Sequence, residues 1–423
     1  MNKRILFCIF CVSLLLSPLA NAATSDHDSE LLIKDGKFFG QIRYRYEHVE
    51  QDNALNDANA HTIRTNIGFK TGIYNNLGGL IEGQVVQHFG DEDFNSLDNG
   101  QTTFSTVADP DTAQINRLWV SYTGIPDTEV KLGRQFINLD NHRFIGTVGW
   151  RQNDQTFDAL TITNTFLENL KAQYTYIDTV NRIFEGSTPP DDLEGGIHLA
   201  NISYKFKDWL NITGYGYWID FDNIAGLTAA SANQSNKTYG LRLTGNMPIN
   251  DDWTFSYEAE AAMQEDHGNS TLNYDENYYH IAPKISGHGF TIGAGYEVLE
   301  GDGTNSFRTP LATLHKFNGW ADIFLATPAN GLEDTYISAA YKFGDNTFLD
   351  GLKLAATYHN FDGKENGDYG NEFDISAGKS FKLPNTGQPF KKVDILLKYA
   401  DYEAEDAPYV DTQKFWIQIG TKF

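Results

Sequence analysis

The chain is 423 residues long, and its formal net charge of −24 repels nucleic acid and excludes it as a partner. Aromatics reach 13%, with 38 Gly, 12 Pro and only 3 Met, a composition suited to strands and turns. Beyond residue 22 no stretch approaches about eighteen continuous apolar residues, which excludes a membrane-spanning helix.

Lys3 and Arg4 precede an apolar run, 5–16, that is too short to cross a bilayer. Pro18 and the small-residue pattern Ala20-Asn21-Ala22 follow, so 1–22 reads as a secretory signal peptide cleaved before Ala23. Both cysteines, Cys8 and Cys11, fall inside it, leaving the exported chain without disulfides or thiol chemistry. No lipobox precedes either one, so no lipoprotein anchor is expected. Residues 23–37 then form a periplasmic lead-in, and 38–423 a single domain.

That domain is a succession of segments of about ten residues alternating apolar and polar, the length a tilted strand needs to cross hydrocarbon. The segments fall at 38–50, 60–74, 78–89, 114–124, 129–138, 154–164, 169–180, 197–206 and 210–222. They continue at 236–247, 253–264, 277–286, 288–300, 334–343, 352–362, 369–382, 391–402 and 411–423. Long and short links mostly alternate, the short ones including 75–77, 125–128 and 208–209. A transmembrane antiparallel β-barrel sorts its connections in this way, with short periplasmic turns and long extracellular loops. About eighteen strands are expected. Links 344–351 and 383–390 are as long as 363–368, which leaves sixteen open.

Alternation also assigns a face to each side chain. Ile42, Tyr44 and Tyr46 point to lipid, so Gln41, Arg43, Arg45 and Glu47 point inward. Ile63, Ile67 and Phe69 face out, leaving Arg64, Asn66 and Lys70 inside. The same phase puts Arg117, Lys131, Lys171, Arg242, Lys342 and Lys398 in the lumen, where a cation avoids the roughly 2–4 kcal/mol cost of facing lipid. Arg134 shares the outward phase of Val130 and Leu132, which points to a bulge or a rim position. Basic residues outnumber Glu47, Glu258 and Glu260 on inward positions, which favours anion passage. Pairing of Arg with Glu across a wet interior is the plainer alternative.

Between the segments at 129–138 and 154–164 lies a loop, 139–153, dense in Arg, Asn, Gln, Gly and Trp. A polar loop of this length between regular strands carries function or is disordered, and its aromatics and amides argue for function. Here the sequence resembles the bacterial alginate-export family of outer-membrane porins. The matching residues are Leu132-Gly133-Arg134-Gln135, the run 139–146 (LDNHRFIG), Gly149-Trp150-Arg151-Gln152-Asn153 and Gln155-Thr156-Phe157-Asp158-Ala159. Runs 39–46, Arg64-Thr65, 315–322 (HKFNGWAD) and 327–332 (TPANGL) extend the likeness over nearly the whole exported chain.

The resemblance implies an eighteen-stranded monomer with a basic constriction for an anionic polyuronate such as alginate, or a smaller anionic or sugar-like solute. Arg43, Arg45, Arg64, Arg117, Arg134, Arg143 and Arg151 carry over to the constriction or its rim, with Lys131 and Arg242 on the pathway. Guanidinium forks suit uronate carboxylates. The loop motif contributes Asp140, Asn141, His142, Trp150, Gln152 and Asn153, with His142 where an uncharged amide is expected. Direction of transport is not written in such a pore.

No catalytic or cofactor motif competes: His-Glu-x-x-His, Gly-x-Ser-x-Gly and the Walker loop are all missing. The other readings are a structural or adhesive barrel plugged by its loops and, further off, an outer-membrane lipid hydrolase. Acidic runs 91–93 and 109–111 offer calcium ligands or a calcium bridge to lipopolysaccharide, with solvated loop charge the plainer reading. Trp209, Trp253 and Trp416 are expected in the interfacial girdle among outer-membrane lipids. The last strand keeps Phe415, Ile417, Ile419 and Phe423 in one phase. It resembles the closing strand that the barrel-assembly machinery recognises.

Overall fold

The alternation becomes eighteen strands in a computed structural model that describes residues 33–185, 190–222, 232–344, 348–364, 367–384 and 390–423. They run β1 Lys37–Gln51, β2 Ala58–Lys70, β3 Leu77–His88, β4 Thr112–Ile125, β5 Thr128–Gln135 and β6 Thr156–Asn164. Next come β7 Leu170–Asn181, β8 Asp192–Lys207, β9 Leu210–Phe221, β10 Asn236–Pro248, β11 Trp253–Asp266 and β12 Asp275–Gly287. The last six are β13 Phe290–Leu299, β14 Leu332–Lys342, β15 Lys353–Gly363, β16 Gly367–Lys382, β17 Lys392–Glu403 and β18 Thr412–Lys422. The expected signal peptide and most of the lead-in lie outside the described residues.

Every strand pairs antiparallel with its sequence neighbours, and β1 pairs with β18 from Gln41↔Lys422 to Gln51↔Thr412. The sheet therefore closes without a free edge, and the count is eighteen. Closure is sealed at the last residue, where the Phe423 amide donates to the Gly40 carbonyl at 3.0 Å and the reverse bond measures 3.2 Å. A Cβ on Gly40 would stand 2.5 Å from the Phe423 ring and 3.0 Å from the Asn66 carbonyl oxygen, so a larger residue here closes the strands only if the terminal ring shifts.

Outward positions meet hydrocarbon. Ile67, Leu241 and Ile337 are 60%, 51% and 58% exposed, values that a water-facing surface would not repeat strand after strand. At the short-turn end, Phe38 stacks near Phe69 (4.8 Å) and Phe290 near Tyr341 (4.4 Å), forming an aromatic girdle. Trp209 and Trp253 lie at this end, but Trp416 does not. It alternates inward between Phe415 and Ile417 and is fully buried in the lumen, a correction to its expected place.

Turns follow their residues. Asn75 and Asn76, at φ 48° and 65°, make a two-residue hairpin closed by paired bonds between Tyr74 and Leu77. His288 (φ 51°) and Gly289 make another, so His288 belongs to a turn and not to a strand. The expected strand at 129–138 stops at Gln135, because Ile137 and Leu139 turn into the lumen and bury there. The next begins at Thr156, so the inserted loop is 136–155 and includes Asp154 and Gln155.

Candidate functional site: two loops packed in the lumen

Loop 136–155 folds into the barrel and is gripped by the wall. Alternation aims Arg43, Arg45 and Arg64 inward, and each meets this loop. Arg43 donates from Nε to Gln152 Oε1 (2.9 Å), from one terminal nitrogen to the Gly149 carbonyl (2.9 Å), and from the other to the Arg151 carbonyl. Arg45 donates to the Trp150 carbonyl at 2.6 Å and stacks on the indole, 3.9 Å from its centre. Arg64 pairs with Asp154 at 3.0 Å, and Gln84 and Asn116 donate to the second oxygen of the same carboxylate.

The loop's own arginines reach back to the wall. Arg151 holds Glu47 at 3.1 Å and Asp322 at 3.3 Å, with Asp109 at 3.7 Å. Arg143 forks onto Glu297 at 2.9 and 3.2 Å and donates to Asn318 at 2.9 Å. Asn141 donates to Glu258 at 2.6 Å, Gln152 to Thr62 Oγ1 at 2.8 Å, and Asn201 to Asp140 at 2.7 Å. Asn153 is fixed between Thr112 and the Pro110 carbonyl.

The second insert is the longest link, 300–331, and the two inserts bond to each other. Ile145 and Leu311 form a parallel bridge, and the Thr313 amide donates to the His142 carbonyl at 3.0 Å. Phe144 packs among Tyr215, Tyr217, Tyr278 and Phe307, the apolar heart of the assembly. Asp140, His142 and Val148 all take positive φ, at 51°, 69° and 49°. For a β-branched valine this conformation costs about 1–3 kcal/mol, held in place by the surrounding contacts.

At the centre, Lys398 sits over Trp150 (4.0 Å) and Trp320 (3.7 Å) and beside Trp416 (5.2 Å). Its ammonium donates to His315 Nε2 at 2.7 Å, while His315 Nδ1 faces Asp322 at 2.8 Å and its ring stacks on Trp150. Burial pushes His315 down to about 3, so the ring stays neutral and accepts from the lysine. Burial opposes the Asp322 charge, yet His315, Lys414 and Arg151 together hold its carboxyl far below the usual range. His142, half-buried, is lowered by burial first and by Lys316 second.

The remaining residues expected on the pathway are placed apart. A β-bulge at Asn116 turns both Asn116 and Arg117 inward, and Arg117 forks onto Glu82 at 2.6 and 3.1 Å. Arg242 pairs with Glu258 (2.6 Å) and Glu260 (2.9 Å) beside the tip of the loop. Lys131 lies near Trp119 and Glu129 on the wall, away from the loop. Arg134 forks onto Asp158 of β6 at 2.8 and 2.9 Å, a wall pair and not a lining residue. The carboxylates that hold the arginines, Glu82, Asp109, Asp154, Glu297 and Asp322, were not among the expected site residues. The inward phase of Glu82 and Glu297 could have found two of them; the three loop aspartates have no periodicity to read.

Under the inserts lies a cavity of about 420 Å³. Lys316, Phe317 and Trp320 roof it, and Glu258, His280 and Lys284 stand in its wall. Its charges are mixed in sign, and Ser256, Ser338 and Thr357 add hydroxyls.

A closed eighteen-stranded barrel with a lipid-facing belt and loops folded into its lumen is a bacterial outer-membrane barrel of the porin class. The profile of the family described as Alginate export matches residues 36–300, and the chain belongs to that family. Solved structures share the fold at low identity. OpdK of Pseudomonas aeruginosa, solved with vanillate, is 13% identical, with a TM-score of 0.71 over 93% of this chain and 99% of its own. OccAB2 of Acinetobacter baumannii is 14% identical, with the same score and the same two coverages. OpdO of Pseudomonas aeruginosa is 12% identical at 0.70, over 94% and 99%. No curated protein is similar enough to this sequence to match it.

Proposed function

We propose that this barrel is a passive, selective outer-membrane channel for small anionic or sugar-like solutes, and not an enzyme. The observation that carries the reading is the fate of the lumenal arginines. Arg43, Arg45, Arg64, Arg143 and Arg151 bind the inserted loop or bind the wall through it, so they narrow the barrel instead of lining an open basic bore. What the cavity presents is amides, hydroxyls, aromatic faces and charges of both signs (Lys284 and Lys316 with Glu258, Glu297 and Asp334), a lining suited to polar solutes of limited size.

A polyuronate is the second reading, favoured by membership of the alginate export family. It requires the inserts to move aside. Single-channel conductance of the refolded protein in a planar bilayer under a salt gradient tests both. Anion-leaning selectivity, with current reduced by small sugar acids and unaffected by polyuronate, is the expected result. Block by polyuronate favours the second reading, and a silent bilayer overturns the channel in favour of a plugged structural barrel.

A further inference from the structure

The arginines of this protein are unequal in their partners. Arg64, Arg117, Arg134, Arg143, Arg151 and Arg242 each hold a carboxylate oxygen at 3.1 Å or closer. Arg45 lies 3.8 Å from Asp109, and Arg43 is saturated by the loop. Among the described residues, Arg182 and Arg308 alone remain, and neither has a carboxylate within ion-pair distance. Arg182 donates to the Pro190 carbonyl at 3.3 Å and stacks on Phe184, 4.4 Å from its centre. Arg308 lies over Tyr274, and its Nε is buried with no hydrogen-bond partner.

Arg182 and Arg308 line one cavity of about 280 Å³, close to the small end of ligand pockets. Arg182 follows β7 and Arg308 belongs to the 300–331 insert, so the cavity opens at the long-loop, outer end of the barrel. Leu193, Phe307, Leu314 and Leu325 supply large apolar side chains to its lining, and Gln234, Ser306, Thr309 and Thr327 add polar ones. Among the described residues, two cations held by aromatic faces have no paired carboxylate and stand beside three leucines and Phe307, half of a complementary pair. The missing half has one carboxylate and a compact apolar body.

We propose that Arg182 and Arg308 form a capture subsite at the outer mouth for a monocarboxylate with a short apolar body. The subsite rests on the channel reading above and names its solute more narrowly. A guanidinium fork fixes the carboxylate, while the leucines and Phe307 take the body out of water. The bound acid then waits beside the inserts at the lumen entrance.

Isothermal titration of the full chain in detergent with sodium benzoate tests this, with benzamide as the uncharged isostere. Benzoate is expected to bind, benzamide at least about tenfold more weakly, and Arg182→Gln/Arg308→Gln to weaken benzoate by about tenfold or more. Leu325→Glu, at a position 47% exposed and so harmless to folding, places a carboxylate in the cavity and is expected to weaken benzoate as much. No binding by the parent, equal affinity for benzamide, or an unchanged affinity in either variant overturns the subsite. Conductance in potassium chloride, measured on the same preparations, separates the two claims. Conduction without benzoate binding sinks only the subsite, and binding without conduction sinks only the channel.

Discussion

Arg151 and Glu47 meet inside the barrel, the guanidinium touching both carboxylate oxygens at 3.1 and 3.3 Å. This contact ties the inserted loop to β1, and Asp109 and Asp322 share the same cation. Arg151→Ala leaves Glu47 without its cation and takes one partner each from Asp109 and Asp322, a loss of about 3–5 kcal/mol for a broken buried pair. The loop should release, and single-channel recordings should show a larger and noisier conductance than the parent. Traces identical to the parent would mean that the loop does not depend on this anchor.

Acid should loosen the same assembly through His315. In the docked state His315 stays neutral down to about pH 3, against an ordinary value of 6.5. The undocked chain therefore binds more protons between those values, so stability is fully present above about pH 6.5 and falls as pH drops toward 3. Near-ultraviolet circular dichroism of the Trp150 stack should lose intensity over that window. His315→Gln, which can still bridge Asp322 and Lys398, should flatten the response; an equally steep curve in that variant would place the titrating group elsewhere.

Charge in the cavity should set selectivity. Lys284 and Lys316 are its cations, and Lys316 also donates to the Asn141 carbonyl at 2.7 Å. Lys284→Glu should shift the reversal potential under a salt gradient toward cations with no change in thermal stability. Lys316→Glu should shift it further and add gating noise. A reversal potential unmoved by either change would put the conduction path outside this cavity.

Gly40 is predicted to govern closure. A leucine there collides with the Phe423 ring where β1 meets β18. Gly40→Leu should slow refolding into detergent, read as a reduced fraction of the compact band in unboiled gel electrophoresis. Normal refolding would show that the terminal ring has room to turn away.

The wall was legible because its physics is periodic. Ile63, Ile67 and Phe69 could face only lipid and Arg64 only the lumen, so the barrel and its inward positions along β1 and β2 followed from alternation, while the even link lengths late in the chain left the count between sixteen and eighteen. What Arg64 does there was not legible. Its partner, Asp154, lies ninety positions away in a loop with no period, and the same holds for Arg151 with Glu47 and Arg45 with Trp150. Arg43 and Arg45 read as lining for an anion, yet the hydrogen bonds of Arg43 end on the loop and those of Arg45 on the Trp150 carbonyl and on Gln418 of β18. Trp416 shows the limit from the other side. Its phase already pointed inward, and the expectation of a girdle came from its residue type and its place near the end of a segment. Asn116 escaped because a bulge adds one residue and lets two consecutive side chains share a face.

The bridge between Ile145 and Leu311 bears on how the molecule is made. Its halves stand far apart in the chain, and the cluster around Trp150 also requires Asp322, Lys398 and Trp416. Contacts of such long range form late. While the C-terminal third is still being delivered, Arg43 and Arg64 can already hold loop 136–155, but Arg45 lacks Gln418 and the loop has no second insert to lean on. The interior must stay wet and unfinished until the final strand is in place, so sealing of the bore coincides with completion of the wall. A chain truncated before β18 would neither close the wall nor finish the filling of its bore.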